Sequence, residues 1–342
     1  IMAYTTINKS GDYFNTKLYT QNATASHSIT GVGHQPDLLW FKDRVSSSRN
    51  HRIVDAVRGV GKLLKVDGTN SENTATDTLT SFDSDGFTLG VDSSDYGLNG
   101  DSGNNTVVWS WKAGTGQGSS NTDGSINTTY TSVNTTAGFS ISSYTGTGSN
   151  ATVGHGLGVV PKMIIVKKLN GSDSWTIYHA SLGATKKINF DTGAAGTQSD
   201  RWNDTSPTNT VFTVSTNSSV NASGSTYVAY CFAEKTGYSN ADGSFIYTGF
   251  KPAFVITKRT DGTGNWLMYD NKRIGYNPSN YFLFPHLSNA EDTSNSEWLD
   301  LYSNGFKTRV TSNTVNGSGN SYIYMAFGQS IVGSNNVPAT AR

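Results

Sequence analysis

Residues 161–179, "PKMIIVKKLNGSDSWTIYH", and residues 252–270, "PAFVITKRTDGTGNWLMYD", are two versions of one phrase. In each, a lysine stands six positions after the proline (Lys167, Lys258) and a tryptophan fourteen after it (Trp175, Trp266). A tyrosine follows each tryptophan by three (Tyr178, Tyr269). A looser third version begins at Pro36, "PDLLWFKDR". Lys42 keeps the offset of six and the apolar run 38–41 matches 163–166 and 254–257. Here Asn50 stands where tryptophan is expected and Ile53 where tyrosine is. Self-similarity at this scale marks a repeated structural unit.

The far ends of the units recur as well. An alternating run passes through Phe87, Phe212 or Phe306, and a polar turn then carries Asn99, Asn221 or Asn316. Each unit closes on an aromatic-rich strand, "VVWSWKAG", "YVAYCFAE" or "YIYMAFGQ". The resulting organisation is an N-terminal segment 1–27, repeats at 28–114, 139–237 and 244–330, a linker 115–138 and a C-terminal tail 331–342. The linker, rich in Gly, Ser, Thr and Asn, reads as flexible or edge-forming.

Within the units period-two alternation dominates, the mark of strands. The closing strands are apolar on both faces: Tyr227, Ala229 and Cys231 on one, Val228, Tyr230 and Phe232 on the other. Such strands need cover on two sides, in a sandwich or at a contact between units. Proline opens each first strand, where a ladder donor can be spared. Turn signals every eight to twelve residues or so suit a sandwich or barrel. "DAVRGVGKLLKV" and "HASLGATKKINF" have room for no more than a turn of helix, since glycine interrupts both. The fold class expected is all-β: three tandem, related, antiparallel β-sandwich units, jelly-roll-like, joined in series. Trp175 and Trp266 are expected to plug the sandwich cores, indole nitrogens reaching backbone or water at the rim.

Composition supports this and narrows function. Hydrophobic residues are 35% and charged residues 15% of the 342, with 17 Tyr and 15 Phe, too aromatic for a disordered chain. The 25 basic and 25 acidic residues are dispersed and cancel, so no basic stripe awaits nucleic acid. No stretch has the apolar length of a membrane span, and the N-terminus lacks the regions of a secretory signal. The one cysteine, Cys231, rules out an internal disulfide and reads as a small buried apolar residue rather than a nucleophile.

Candidate chemistry is sparse. His34 and His155 share a Val-Gly-His context but have no second ligand at metal spacing, and read as turn histidines at strand entrances. Asp83–Phe87, "DSDGF", and "DSSDYG" gather carboxylates. Ser94 replaces the twelfth-position acid of a helix–loop–helix calcium site, and Asp92, Asp95 and Asp101 are read as turn acids in preference to an irregular calcium site. Nucleophile-elbow and zinc-helix motifs are absent. Glutamate is limited to Glu72, Glu234, Glu291 and Glu297, which leaves few acids for glycoside cleavage. Loop aromatics remain: Tyr96, Tyr130, Trp202, Tyr238, Tyr276 and Tyr281 lie among Asn, Asp, Gly and Ser, a mix suited to sugars or protein surfaces. Tyr96, Trp202, Tyr276 and Tyr281 are taken as candidate surface contacts. No catalytic, cofactor-binding or metal residue is assigned.

The ordered pattern of "YTG", "HGLGVVPKMIIVK", W-x-x-Y and "YVAYCFA" resembles a repeated domain in virion proteins of tailed bacteriophages, marine ones in particular. The likeness is strongest over 139–235, extends over 245–329 and is loosest over 27–113. It implies a non-enzymatic virion structural protein, a tail-fibre-like appendage component that contacts the host. Implied partners are other virion proteins, copies of the chain itself (a trimer included), and a host-surface glycan or protein. Nucleic acid, membrane insertion and cofactors are not implied. The alternatives are a carbohydrate-binding bacterial surface adhesin and a polysaccharide depolymerase.

Overall fold

Three antiparallel sheets share one strand order in the computed structural model. It describes residues 7, 9–191, 193–235, 239–240, 247–274, 277, 281–294 and 299–328. Each sheet places a flanking strand, a closing strand, an opening strand and a return strand side by side. The opening strands are Leu38–Asp43, Pro161–Lys168 and Pro252–Arg259. The return strands are Arg52–Asp55, Thr176–His179 and Trp266–Asp270, and the closing strands Asn105–Trp111, Thr226–Ala233 and Tyr322–Gly328. Phe14–Thr20, Phe139–Thr145 and Ser239–Asn240 flank them. Pro161 and Pro252 each sit at a register shift against the closing strand, an irregularity that suits a residue with no N–H to donate.

A second layer covers one face of each sheet. Strands Gly86–Leu89 and Leu79–Asp83 with His27–Thr30 do so in the first unit, Ala151–Gly154 with Val211–Val214 in the second, and Leu299–Tyr302 with Gly305–Thr308 in the third. Leu39, Phe41, Val54 and Val108 meet Phe87 and Leu89 in the first core. Ile164, Val166, Tyr178 and Ala229 meet Phe212 and Val214 in the second. Val255, Leu267, Tyr269 and Ala326 meet Leu301 and Phe306 in the third.

The opposite faces of all three sheets meet in one shared core. Trp40, Trp109 and Trp111 of the first sheet, Ile165, Tyr230 and Phe232 of the second, and Ile256, Met325 and Phe327 of the third belong to it. The units are therefore not beads in series. Two-sided apolarity arises because one face builds a unit's own sandwich and the other faces its neighbours. At the hub three equivalent closing-strand aromatics touch: Trp111 lies 6.4 Å from Phe232 and 5.6 Å from Phe327, which lie 6.0 Å apart. Edge-on geometry is the favoured one for such rings.

Several expectations change accordingly. Trp175 and Trp266 are buried, but in the shared core rather than the sandwich cores. Alternation explains this: three positions along a strand reverse the face, so the tryptophan points to the neighbouring unit and Tyr178 or Tyr269 points to its own core. In the first unit, bulk missing at Asn50 is supplied by Trp40 and Trp109 from adjoining strands. The N-terminal segment is part of the first unit, since Phe14–Thr20 pairs along the whole closing strand. The linker is edge-forming rather than free: Tyr130–Asn134 joins the second sheet and Ile126 bridges Val153. Residues 56–58 and 180–182 form turns, not helix. The α-helices present among the described residues are the four-residue Ser199–Trp202 and Ser218–Asn221.

Candidate functional site

Contacts between units run in one sense around a closed ring. The second unit's Leu169 carbonyl accepts from Glu72 N of the first, the third unit's Thr260 carbonyl from Ala195 N of the second, and the first unit's Arg44 carbonyl from Glu291 N of the third, at 2.8, 2.9 and 3.0 Å. Leu169, Thr260 and Arg44 all stand eight residues after the defining proline. Trp175 Nε1 donates to the Lys65 carbonyl at 2.9 Å and Trp266 Nε1 to the Asn189 carbonyl at 2.8 Å. Each tryptophan thus fastens its unit to the preceding one.

The end of each return strand is hydrogen-bonded to the next unit. Tyr230 Oη donates to Asp55 at 2.7 Å and Trp109 Nε1 donates to Asp270 at 3.1 Å. His179 Nε2 lies 3.3 Å from the Tyr324 carbonyl. Asp55 and Asp270 also hold an arginine three residues on, Arg58 and Arg273, each at 2.6 Å. Those arginines reach Glu72 at 3.1 Å and Glu291 at 2.9 Å. Burial pulls the Arg58 guanidinium down, but Asp55, Tyr230 and Glu72 outweigh it and the net direction is up; Arg273 behaves alike with Asp270 and Glu291. The recurring Asp-x-x-Arg, "DAVR" and "DNKR", was visible in the sequence and marks two of the three junctions.

The repeated lysines are buried anchors. Lys42 Nζ donates to carbonyls of Asp43 (2.6 Å), Arg49 (2.8 Å) and, across a junction, Ser288 (3.1 Å). Lys167 Nζ reaches Asp173 (2.9 Å), Lys168 (3.0 Å) and, across a junction, Thr69 (3.2 Å). Lys258 Nζ reaches Gly264 at 2.8 Å. Burial lowers all three ammonium groups to about 8.

The other candidate groups also have internal partners. His34 Nδ1 meets the Gly11 carbonyl at 2.9 Å, and burial lowers its pKa to about 4. His155 Nδ1 accepts from Leu157 N at 3.1 Å, and burial lowers its pKa. Asp92 accepts from the backbone of Tyr96, Leu98 and Asn99, while Arg49 pairs with both Asp95 and Asp101. In "DSDGF", Asp83 takes the Ser81 and Thr88 hydroxyls and Asp85 takes Gly31 N and Gly33 N. Gly86 follows with φ +153°, its Cα so close to the Ile29 carbonyl that no side chain fits. Cys231 is fully buried, its thiol pushed up to about 12 by desolvation. Among the described residues no cluster of three His, Cys, Asp or Glu side chains has metal-binding proximity. No helix there is long and apolar enough to cross a membrane.

The loop aromatics divide. Trp202 is not a surface contact: it is 1% exposed, lies edge-on to Tyr178 at 5.9 Å and belongs to the second core. The short helix ends on it, with Asn203 left-handed at φ 50°, and turns the indole inward. Tyr96 is half-buried under the Arg52 guanidinium, 4.9 Å from its ring, and accepts from Asn73 at 2.6 Å. Tyr281 is half-buried; Tyr276 and Tyr238 lie outside the described residues.

Three surface concavities among the described residues lie where units meet. Between the first and second is a cleft of about 290 Å³ bounded by Val57, Arg58, Glu72, Gln117, Tyr130 and Ser143. An equivalent cleft of about 530 Å³ lies between the second and third, bounded by Ser181, Leu182, Thr260 and Tyr322. At the third junction Arg44, the counterpart of Leu169 and Thr260, makes a two-pronged bond to Glu291, at 2.6 and 3.1 Å. The hollow there, about 420 Å³, is displaced toward Ser47 and residues 284–294.

The class this geometry defines is an all-β body of three sheets closed around one aromatic core. The chain belongs to the family described as a domain of unknown function, DUF7483, which it matches over residues 9–330. That span takes in all three units. No curated protein and no solved structure matches the chain.

Proposed function

We propose that this chain is a non-enzymatic structural protein of a bacteriophage virion, a tail or tail-fibre-like component that contacts the host surface. One observation supports the non-enzymatic part: the carboxylates, lysines and histidines that sequence offers for chemistry are engaged by internal partners, several of them across the unit junctions. Asp55, Asp270, Glu72 and Glu291 bind arginines, and the repeated lysines bind carbonyls. Groups so engaged lack the open, poised arrangement that acid–base or nucleophilic chemistry needs. The virion assignment rests on the resemblance of the repeated segments to phage virion domains.

A body of this design suits exposure outside a cell. Strand pairing and a shared core replace the disulfides that a single cysteine precludes, and the balanced charge leaves contact to polar and aromatic loops. Its natural partners are other virion proteins and a host-surface glycan or protein. Immunogold electron microscopy of purified particles with antibody to this chain tests the reading. Label at a fixed place on the tail or an appendage is expected. Unlabelled particles from a lysate rich in the protein would remove it, and label on the bacterial envelope instead would favour a cellular adhesin.

A further inference from the structure

We propose that the cleft between the first and second units binds a single neutral sugar ring; this deepens the host-contact reading and rests on it. The three junctions are built alike, so what differs between them is informative. At the third junction the residue eight after the proline is Arg44, and its guanidinium is bound to Glu291. At the first, that residue is Leu169, too short to fill the gap, and the cleft stays open.

The lining fits a sugar better than an ion or an apolar ligand. Arg58 and Glu72 bind each other at 3.1 Å, so the charged groups cancel and a phosphate or carboxylate gains little. Apolar and aromatic walls come from Leu169 and Tyr130, surfaces on which the C–H face of a pyranose can lie. The polar arms are neutral. Gln117 donates one bond, at 3.2 Å, to the Val57 carbonyl, leaving amide capacity over. Ser143 Oγ is buried with no partner, and the Tyr130 hydroxyl has none among the described residues. Tyr130 and Ser143 face each other across paired strands, which puts both side chains on the same side of the sheet. A buried hydroxyl without a partner is costly, and a ligand hydroxyl would satisfy it. At about 290 Å³ the cleft is at the small end for ligand sites, sized for one ring rather than a chain.

Saturation-transfer NMR on the full chain, with free D-glucose, D-galactose, N-acetyl-D-glucosamine and L-rhamnose as probes and D-glucuronate as the charged comparator, tests this. At least one neutral sugar should receive saturation, and Tyr130→Ala should weaken its binding at least about fivefold. Gln117→Ala, at an exposed position, should weaken it without disturbing the fold, and Tyr281→Ala should leave it unchanged. The proposal is overturned if no neutral sugar receives saturation, if binding survives both cleft variants, or if glucuronate displaces the neutral sugars. The virion reading is judged separately by the particle labelling. Labelled particles with no sugar binding would sink the cleft alone, whereas cleft-dependent sugar binding with unlabelled particles would sink the virion reading alone.

Discussion

The Tyr230 hydroxyl donates to the Asp55 carboxylate at 2.7 Å, joining two sheets through residues 175 positions apart. Asp55 holds Arg58 as well, and all three are buried. Asp55→Ala would leave Arg58 buried and short of its main partner, a change that costs about 3–5 kcal/mol. Tyr230→Phe leaves the ion pair whole and should cost only about 1 kcal/mol. Urea unfolding of both variants and the double variant gives the coupling. Strict additivity would mean that the hydroxyl and carboxylate do not act together.

The hub makes the three sheets one cooperative body. Calorimetry should show a single transition whose van't Hoff and calorimetric enthalpies agree, and Trp111→Ala should destabilise the whole by about 3–5 kcal/mol. Residues 139–235 made alone would expose Ile165, Trp175, Tyr230 and Phe232 and should bind hydrophobic dye or self-associate. A fragment that melts sharply as a monomer would argue for independent units.

Lys167 matters for its ammonium group rather than its bulk. Lys167→Met keeps the volume but strands the carbonyls of Thr69, Lys168 and Asp173, and should destabilise by roughly 2–4 kcal/mol. Chemical denaturation reads this directly. A stabilised variant would show that desolvating the charge costs more than its bonds return.

Stability should rise with pH in two windows, because the buried bases have folded pKa values below their unfolded ones. His34 and His286 sit at about 4, and burial lowers His51 and His155 too. Between about pH 6.5 and 4 the unfolded chain binds protons that the folded chain refuses. Acidification should therefore cost about 1.4 kcal/mol per pH unit for each histidine so held. For Lys42, Lys167 and Lys258 the folded value is about 8, so the same sign applies from there up to the unfolded lysine value near ~10.4. Melting temperatures measured from about pH 4 to about pH 10 check both. A maximum near neutrality with decline on the alkaline side would contradict the lysine half.

What could be read early was local. The repeat of Pro, Lys, Trp and Tyr at fixed offsets gave the strands, and alternation showed that both faces of the closing strands needed cover. Asp-x-x-Arg was equally legible and its meaning was not, since nothing local tells a turn ion pair from one that also receives a tyrosine from another sheet. Trp202 misled because polar neighbours describe the chain around a side chain and not the direction in which a helical turn aims it.

The sequence by itself determined the all-β class, the strand positions and the threefold repetition, because hydrogen-bond period and turn chemistry are properties of neighbouring residues. Only tertiary structure decided that the units close into a ring, that the tryptophans bind the neighbouring unit, and that Arg44 pairs with Glu291 across the third junction where the first has Leu169. Those outcomes depend on which apolar faces meet, and burial is indifferent to distance along the chain.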